Sequence, residues 1–209
     1  MKSVPGGTSI RDFLKAVASS DEAHGAVSTA AVAGALGTSL VLMVAALPKT
    51  RSDSADERTK LMEAATVLSD VQEQLLETIE TETAVKIFAA RNMPQASAAQ
   101  RAERLAAIQI ALRAAADVPL EVMRLCARAL KQAETVAAHS SRAALGDVQL
   151  GVALVHAGFI GARSNLDAKI PTLTDSHYIT SAVDEIARLS DEATVAMRAA
   201  EELLQVPPA

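Results

Sequence analysis

The amino-acid sequence predicts an all-α fold, an antiparallel bundle of about seven helices. Apolar residues recur at helical spacing along most of the chain, and strand-like alternation is absent over any useful window. Half of the 209 residues are hydrophobic but only 2% are aromatic, so small side chains prevail and helices can pack closely. No low-complexity linker divides the chain. Residues 1–209 are therefore predicted to form a single domain.

Helix start and stop signals define the elements. Ser9 and Asp12 have the spacing of an N-terminal cap, and Asp117 with Pro119 predicts a new helix start because these residues suit an N-cap and a first turn. The predicted helices cover residues 9–19, 26–47, 55–91, 96–116, 117–139, 141–168 and a last segment from about 175. Their predicted apolar rows include Ile10, Leu14, Phe88, Leu105 and Val183.

Charge and cysteine content exclude several classes of protein. The net charge is -5 and the sequence pI is near 5.4, which argues against a nucleic-acid binder. Cys126 is the only cysteine, so no intrachain disulfide forms and a zinc site is not expected. The first residues lack the apolar run of a secretory signal. We therefore expect a cytoplasmic protein.

The uncharged run from Ala26 to Leu47 is long enough to span a bilayer. Serine, threonine and glycine dilute it, and alanine rather than leucine fills its first half. A buried central helix is therefore preferred, with a membrane span as the minor alternative. Small residues at Ala30, Gly34 and Gly37 would let neighbouring helices approach closely.

Few residues can carry chemistry, because the chain has no Walker loop, no HExxH, no nucleophile elbow and no dinucleotide fingerprint. No metal or nucleotide is implied. Asp147 lies in an apolar helix and is expected to be partly buried, in either a structural or a functional role. His24, His139 and His156 are possible site residues, although a structural role is the simpler interpretation for each. Asn165 is expected to be a buried amide that hydrogen-bonds across the bundle.

Several segments together resemble one known family. They are Ile10–Ser20, Thr29–Gly37, Leu40–Val44, Ala107–Gln109, Asp117–Leu120 and Gly146–Asp147, with Asn165 a fixed distance beyond. Across nearly the whole chain the sequence resembles the cyclodeaminase/cyclohydrolase family. That family comprises formiminotetrahydrofolate cyclodeaminases and methenyltetrahydrofolate cyclohydrolases, which are small, all-helical, cytosolic and typically dimeric.

The resemblance implies an enzyme acting on a tetrahydrofolate derivative, as a homodimer. Asp147 would be the catalytic base that deprotonates water, and Asn165 would orient the substrate or that water. Gly25 and Ser28 would line the substrate at a helix N-terminus. Glu82 matches the acid of a family motif in the long helix and is assigned to substrate binding. Cyclohydrolase and cyclodeaminase reactions both remain open at this point.

The sequence also departs from the family pattern. Only Gly25 and Ser28 survive from its glycine-rich loop, and Val27 stands where the family has glycine. The family's lysine-rich segment has no counterpart in residues 49–56. An alternative is therefore a diverged member that has lost folate catalysis and acts on another ligand or as a binding or assembly protein.

Overall fold

The computed structural model describes residues 9–19, 25–47, 54–79 and 83–205. This part of the chain is all helical, which confirms the predicted fold class, and it contains no β-strand. The helices are α1 (Ile10–Val17), α2 (Ala26–Ala45), α3 (Ala55–Ile79), α4 (Thr83–Arg91), α5 (Ala98–His139), α6 (Leu145–Lys169) and α7 (Ser176–Gln205). Short 3-10 turns at Arg142–Ala144 and Ile170–Thr172 flank α6.

Helix α2 lies at the centre of the bundle. It packs most extensively against α6 and also contacts α3 and α5, while α5 packs in turn on α6 and α7. Ala31 and Val41 of α2 are fully buried. By length and composition alone, α2 and the segment Arg142–Thr172 that contains α6 could each cross a membrane. Their mutual packing provides the core helix expected for the uncharged run.

Glycine residues allow α2 and α6 to pack with their backbones in near contact. A Cβ atom added to Gly37 would lie 2.5 Å from the carbonyl oxygen of Gly151, and one added to Gly158 would lie 2.7 Å from the carbonyl oxygen of Ala30. Position 37 thus faces 151, and position 30 faces 158. The two helices therefore run antiparallel, and the close approach expected from the small residues of α2 is confirmed.

The predicted break between helices four and five is wrong. Helix α5 continues for 42 residues, with Pro119 inside it. Proline removes only one backbone donor, and its buried ring packs against the core, so flanking helices can hold the long helix together. Asp117 does not cap a helix. Its carboxylate accepts a hydrogen bond of 2.7 Å from the hydroxyl of Tyr178 in α7.

The predicted long helix over residues 55–91 is described in two parts, because residues 80–82 lie outside the described part of the chain. Helix α3 ends at Ile79 and α4 begins at Thr83. Because α4 packs mainly on α5, the apolar row of α3 does not continue through it, and Phe88 is 72% exposed. Leu105 and Val183 are likewise exposed rather than in the core, because the buried residues of α5 begin only at Ala111 and Val183 faces outward on α7.

Helix caps follow the sequence signals more closely. The hydroxyl of Ser9 accepts a hydrogen bond from the backbone N–H of Asp12, as predicted. Ser97 and Gln100 form a reciprocal capping box at the start of α5. Helix α1 buries none of its residues, so the predicted apolar row containing Ile10 and Leu14 does not face the core.

An ion-pair network joins α5 to α7. Arg124 donates hydrogen bonds to both carboxylate oxygens of Glu185, at 2.8 and 2.7 Å, and pairs with Glu121 at 2.9 Å. Arg124 therefore bridges two helices. The hydrogen bonds from Arg124 hold the pKa of Glu185 below its usual range.

Glu185→Gln is expected to lower the free energy of unfolding by about 1 kcal/mol at pH 7. Because the pKa of Glu185 is lower in the folded than in the unfolded protein, its ionisation stabilises the fold above the usual pKa of glutamate. That stabilisation disappears as the pH falls through the lowered pKa. Urea unfolding at pH 7 and at low pH measures the difference. Glu192→Gln is the control, since its pair with Arg188 lies at the surface. Equal losses at both pH values would contradict the expectation.

Candidate functional site

Asp147 and Asn165 lie at opposite ends of α6. Eighteen residues separate them, which is five helical turns or about 27 Å. They therefore project from the same side of the helix, in the row that carries Gly151, Gly158 and Gly161. These glycines face α2. The two residues thus flank the α2–α6 contact but cannot act on one small ligand within a single chain.

The antiparallel direction of α2 groups the remaining predicted residues. Gly161 faces Ala30, so the N-terminus of α2, with Gly25 and Ser28, lies at the same end as Asn165. Gly25 is the N-cap of α2 and supplies no side-chain cap bond. The structure therefore brings Gly25, Ser28 and Asn165 to one end of the bundle and places Asp147 at the other.

The side-chain amide of Asn165 does not make the hydrogen bond across the bundle that the sequence predicts for its oxygen. Its Oδ1 atom is buried and has no hydrogen-bond partner in the described part of the chain, so the predicted bond from this oxygen across the bundle is absent there. Lys169 follows one turn later on the same side of α6, and burial lowers its pKa. The sequence did not single out Lys169. An unpartnered acceptor, a half-buried cation and a helix N-terminus together provide groups that could bind a polar, partly anionic ligand.

Asp147 lies in the first turn of α6 and is exposed. The expectation that its neighbours bury it is wrong, because Val148 is buried whereas Gly146 and Asp147 are both exposed at the end of the α2–α6 contact. Water reaches this exposed carboxylate freely. Its proposed role as a base is compatible with this placement and stays a prediction.

A second polar group lies where α5 ends and α3 begins. The Nδ1 atom of His139 is 3.7 Å from Oε1 of Glu57. The other carboxylate oxygen of Glu57 and the hydroxyl of Ser140 are buried without a hydrogen-bond partner among the described residues. The sequence analysis identified His139 but missed Glu57 and Ser140. Glu57 resembled an ordinary first-turn acid, and only the fold brings it to His139.

The other predicted residues do not join either group. His156 is half-buried midway along α6, nine residues from both Asp147 and Asn165. His24 and Glu82 lie outside the described residues. Within the described ranges, no cluster of three or more His, Cys, Asp or Glu side chains could hold a metal ion. A pocket of about 310 Å³ between α6 and α7 contains none of the predicted site residues.

The single cysteine has a structural position. Cys126 is free and fully buried in α5, and burial raises the pKa of its thiol to about 12. The thiol is therefore protonated at neutral pH and is a poor nucleophile. Its Sγ atom packs against Gly34, 2.9 Å from where a Cβ atom would stand.

Comparison with known proteins places this arrangement in a family. Residues 9–188 match the formiminotransferase-cyclodeaminase family. The chain belongs to that family. This confirms the resemblance seen in the sequence, and the matched range includes α1 to α6 and the first part of α7.

Individual relatives of the formiminotransferase-cyclodeaminase family differ in length. The chain is 28% identical to a methenyltetrahydrofolate cyclohydrolase of Methylorubrum extorquens, over 90% of this chain and 91% of that protein. It is 24% identical to a formimidoyltransferase-cyclodeaminase of Gallus gallus, over 87% of this chain but 34% of that protein. A crystal structure of formiminotetrahydrofolate cyclodeaminase from Thermotoga maritima matches with a TM-score of 0.83 at 19% identity, covering 95% of this chain and 96% of that one. That likeness confirms the cyclodeaminase-like fold.

Proposed function

We propose that this protein acts in folate one-carbon metabolism and hydrolyses 5,10-methenyltetrahydrofolate to formyltetrahydrofolate. This proposal rests mainly on the similarity to a methenyltetrahydrofolate cyclohydrolase, which extends along 91% of that protein's length. The avian formimidoyltransferase-cyclodeaminase is matched over only 34% of its length. Because the similarity covers nearly the whole cyclohydrolase but only a third of the avian protein, it favours the cyclohydrolase reaction. The cyclodeaminase reaction is the second candidate, because the family includes it.

The described residues suit distinct steps of this hydrolysis. A water molecule adds to the carbon that bridges two ring nitrogens, and the carboxylate of Asp147 takes a proton from that water. The proton of the new hydroxyl group then moves to one of the two nitrogens, the bond between that nitrogen and the carbon breaks, and the formyl group stays on the other nitrogen. Because Asp147 and Asn165 lie about 27 Å apart in one chain, the Asn165 of this site comes from a second copy, and its unpartnered Oδ1 accepts a hydrogen bond from a substrate N–H. Lys169 and the N-terminus of α2, near Gly25 and Ser28, attract the anionic tail of a folate.

We further propose a cytoplasmic homodimer. The buried, reduced Cys126 suits a reducing compartment. Large apolar residues exposed on several helices, including Leu36, Leu150 and Ile160, provide surface that a second copy could cover. A tetrahydrofolate derivative is the proposed substrate, and the mechanism needs no metal or nucleotide.

Turnover of methenyltetrahydrofolate tests the proposal. The purified protein is expected to speed the loss of the near-ultraviolet absorbance of this compound, and Asp147→Asn is expected to reduce kcat by about 100-fold to 10,000-fold, as for removal of a general base. Asp191→Asn is the matched control, an exposed carboxylate on α7. It should leave kcat unchanged.

Three other results would change the assignment. If the wild-type protein hydrolysed methenyltetrahydrofolate no faster than buffer does, the proposed cyclohydrolase function would be wrong. Release of ammonia from formiminotetrahydrofolate instead would select the cyclodeaminase reaction. Tight binding of a reduced folate without either reaction would favour a diverged binding protein. If the Asp147→Asn variant hydrolysed the substrate as fast as the wild type, only the proposed role of Asp147 as the base would be wrong.

A further inference from the structure

Two buried oxygen atoms without a hydrogen-bond partner lie where α5 ends and α3 begins, at a junction formed by Glu57, His139 and Ser140. One is Oγ of Ser140, the C-cap of α5, and the other is Oε2 of Glu57, in the first turn of α3. Neither atom has a partner in the described part of the chain, and Ser140 is only 1% exposed. Because buried polar atoms nearly always have a partner, this α3–α5 junction indicates a site for a further group.

The neighbouring side chains do not supply the positive charge that a buried carboxylate oxygen requires. The Nδ1 atom of His139 is 3.7 Å from Oε1 of Glu57, which is beyond hydrogen-bonding distance. Arg58 and Arg142, the arginines nearest to the junction along the chain, are both exposed. No lysine or arginine among the described residues is buried, so a cation that enters the junction would find an uncompensated acceptor.

The C-terminus of α5 adds further oxygen ligands and a negative potential. The last carbonyl groups of a helix have no partner within it and carry a partial negative charge, and α5 is 42 residues long. The backbone N–H of Ser140 donates to the carbonyl oxygen of Val136, at 2.8 Å, which holds Ser140 directly at this helix end. A carboxylate, a hydroxyl and backbone carbonyl groups are the oxygen ligands that hard cations prefer.

We propose that the α3–α5 junction binds a monovalent alkali cation, K⁺ or Na⁺, through Oε2 of Glu57, Oγ of Ser140 and carbonyl oxygens of the last turn of α5. One carboxylate balances one positive charge, whereas Ca²⁺ sites built from protein alone collect several carboxylates. The bound cation joins the end of α5 to the start of α3. The site contains none of Asp147, Asn165 and Lys169, so it does not depend on the proposed function.

Thermal unfolding in different chloride salts tests the site without any enzyme assay. The protein is compared in potassium, sodium and tetramethylammonium chloride at one ionic strength, so that the general screening of charge stays constant. Tetramethylammonium is too large to enter a buried site. K⁺ or Na⁺ is expected to raise Tm by about 3–6 °C when its concentration is about ten times the dissociation constant. Equal Tm values in all three salts at every concentration would overturn the proposal.

Glu57→Gln removes the charge that holds the cation and keeps the size of the side chain. The rise in Tm that K⁺ or Na⁺ causes relative to tetramethylammonium is expected to disappear in this variant. Glu63→Gln, at an exposed position of the same helix, is the matched control and should keep the full rise. If both variants kept it, the cations would act elsewhere on the protein and the proposal would be wrong.

Ser140→Ala distinguishes a cation ligand from an ordinary unpartnered hydroxyl, and it tests the site even if Glu57→Gln does not fold. In tetramethylammonium chloride the variant should be at least as stable as the wild type, because a buried unpartnered oxygen is removed. The concentration of K⁺ or Na⁺ that gives half of the rise in Tm should increase by about tenfold or more. An unchanged concentration would contradict the assignment of Ser140 as a ligand and overturn the proposed site.

Divalent cations test the charge of the bound ion. Ca²⁺ and Mg²⁺ are expected to raise Tm less than K⁺ or Na⁺ at the same concentration. A larger rise with either divalent ion, lost in Glu57→Gln, would overturn the assignment of a monovalent cation.

Discussion

Gly37→Ala is expected to destabilise the protein by about 3 kcal/mol or more, which for a chain of this size lowers Tm by roughly 6–12 °C. The added methyl group would stand 2.5 Å from the carbonyl oxygen of Gly151 and 2.6 Å from the backbone nitrogen of Val155. Both contacts are with backbone, so no side chain can rotate away. The central helices α2 and α6 must separate along much of their contact. Thermal unfolding followed by circular dichroism measures the effect.

Gly146→Ala is the matched control for this substitution. Gly146 also lies in a helix, but a Cβ atom there meets nothing within 4 Å. Alanine has the higher helix propensity, so this variant is expected to gain about 0.5–1 kcal/mol. If Gly37→Ala were as stable as Gly146→Ala, the near contact between the α2 and α6 backbones would be wrong.

The sequence could predict this contact because its signal is local. Glycine and alanine at helical spacing in an uncharged run permit close packing whichever helix lies opposite. The helix boundaries depended on more distant partners. Pro119 has the sequence signature of a helix start, yet flanking helices bury its ring and α5 continues through it.

The candidate site was predictable in its residues but not in its arrangement. Asp147 and Asn165 emerged from the family resemblance, but their separation depends on the unbroken length of α6. The apolar neighbours of Asp147 suggested burial, although Val148 alone of its two immediate neighbours turns to the core. Glu57 could not be linked to His139 from the sequence, because 82 positions separate them and the contact exists only when α3 lies antiparallel to α5.

The scarcity of aromatic residues limits how the protein could bind a pterin ring. A flat pterin ring commonly stacks on aromatic side chains, yet Phe159 is buried in the core and Phe88 lies on α4, which carries none of the site residues. The site residues are instead polar groups at helix ends and amides or carboxylates along α6. Recognition of a folate here would therefore depend on hydrogen bonds and charge, which gives Asn165 and Lys169 more weight than the sequence alone assigned to them.

Phe159→Ala is expected to lower the free energy of unfolding by about 3–5 kcal/mol. Phe159 is 2% exposed and is the largest of the fully buried side chains among the described residues. It lies on α6 beside Gly158, where α2 comes closest, so the surrounding helices cannot collapse into the cavity without new backbone clashes. Chemical denaturation in urea measures the loss through a lower midpoint at an unchanged slope.

Phe88→Ala provides the same change of chemistry at a surface position. Phe88 is 72% exposed on α4, so its removal is expected to alter stability by no more than about 0.5 kcal/mol. The sequence placed Phe88 in a core-facing row of one long helix, and that arrangement would require a loss comparable with that of Phe159→Ala. The pair of variants therefore distinguishes the two arrangements directly. A large loss for Phe88→Ala would restore the core-facing row, because only burial against the core makes a phenylalanine so costly to remove.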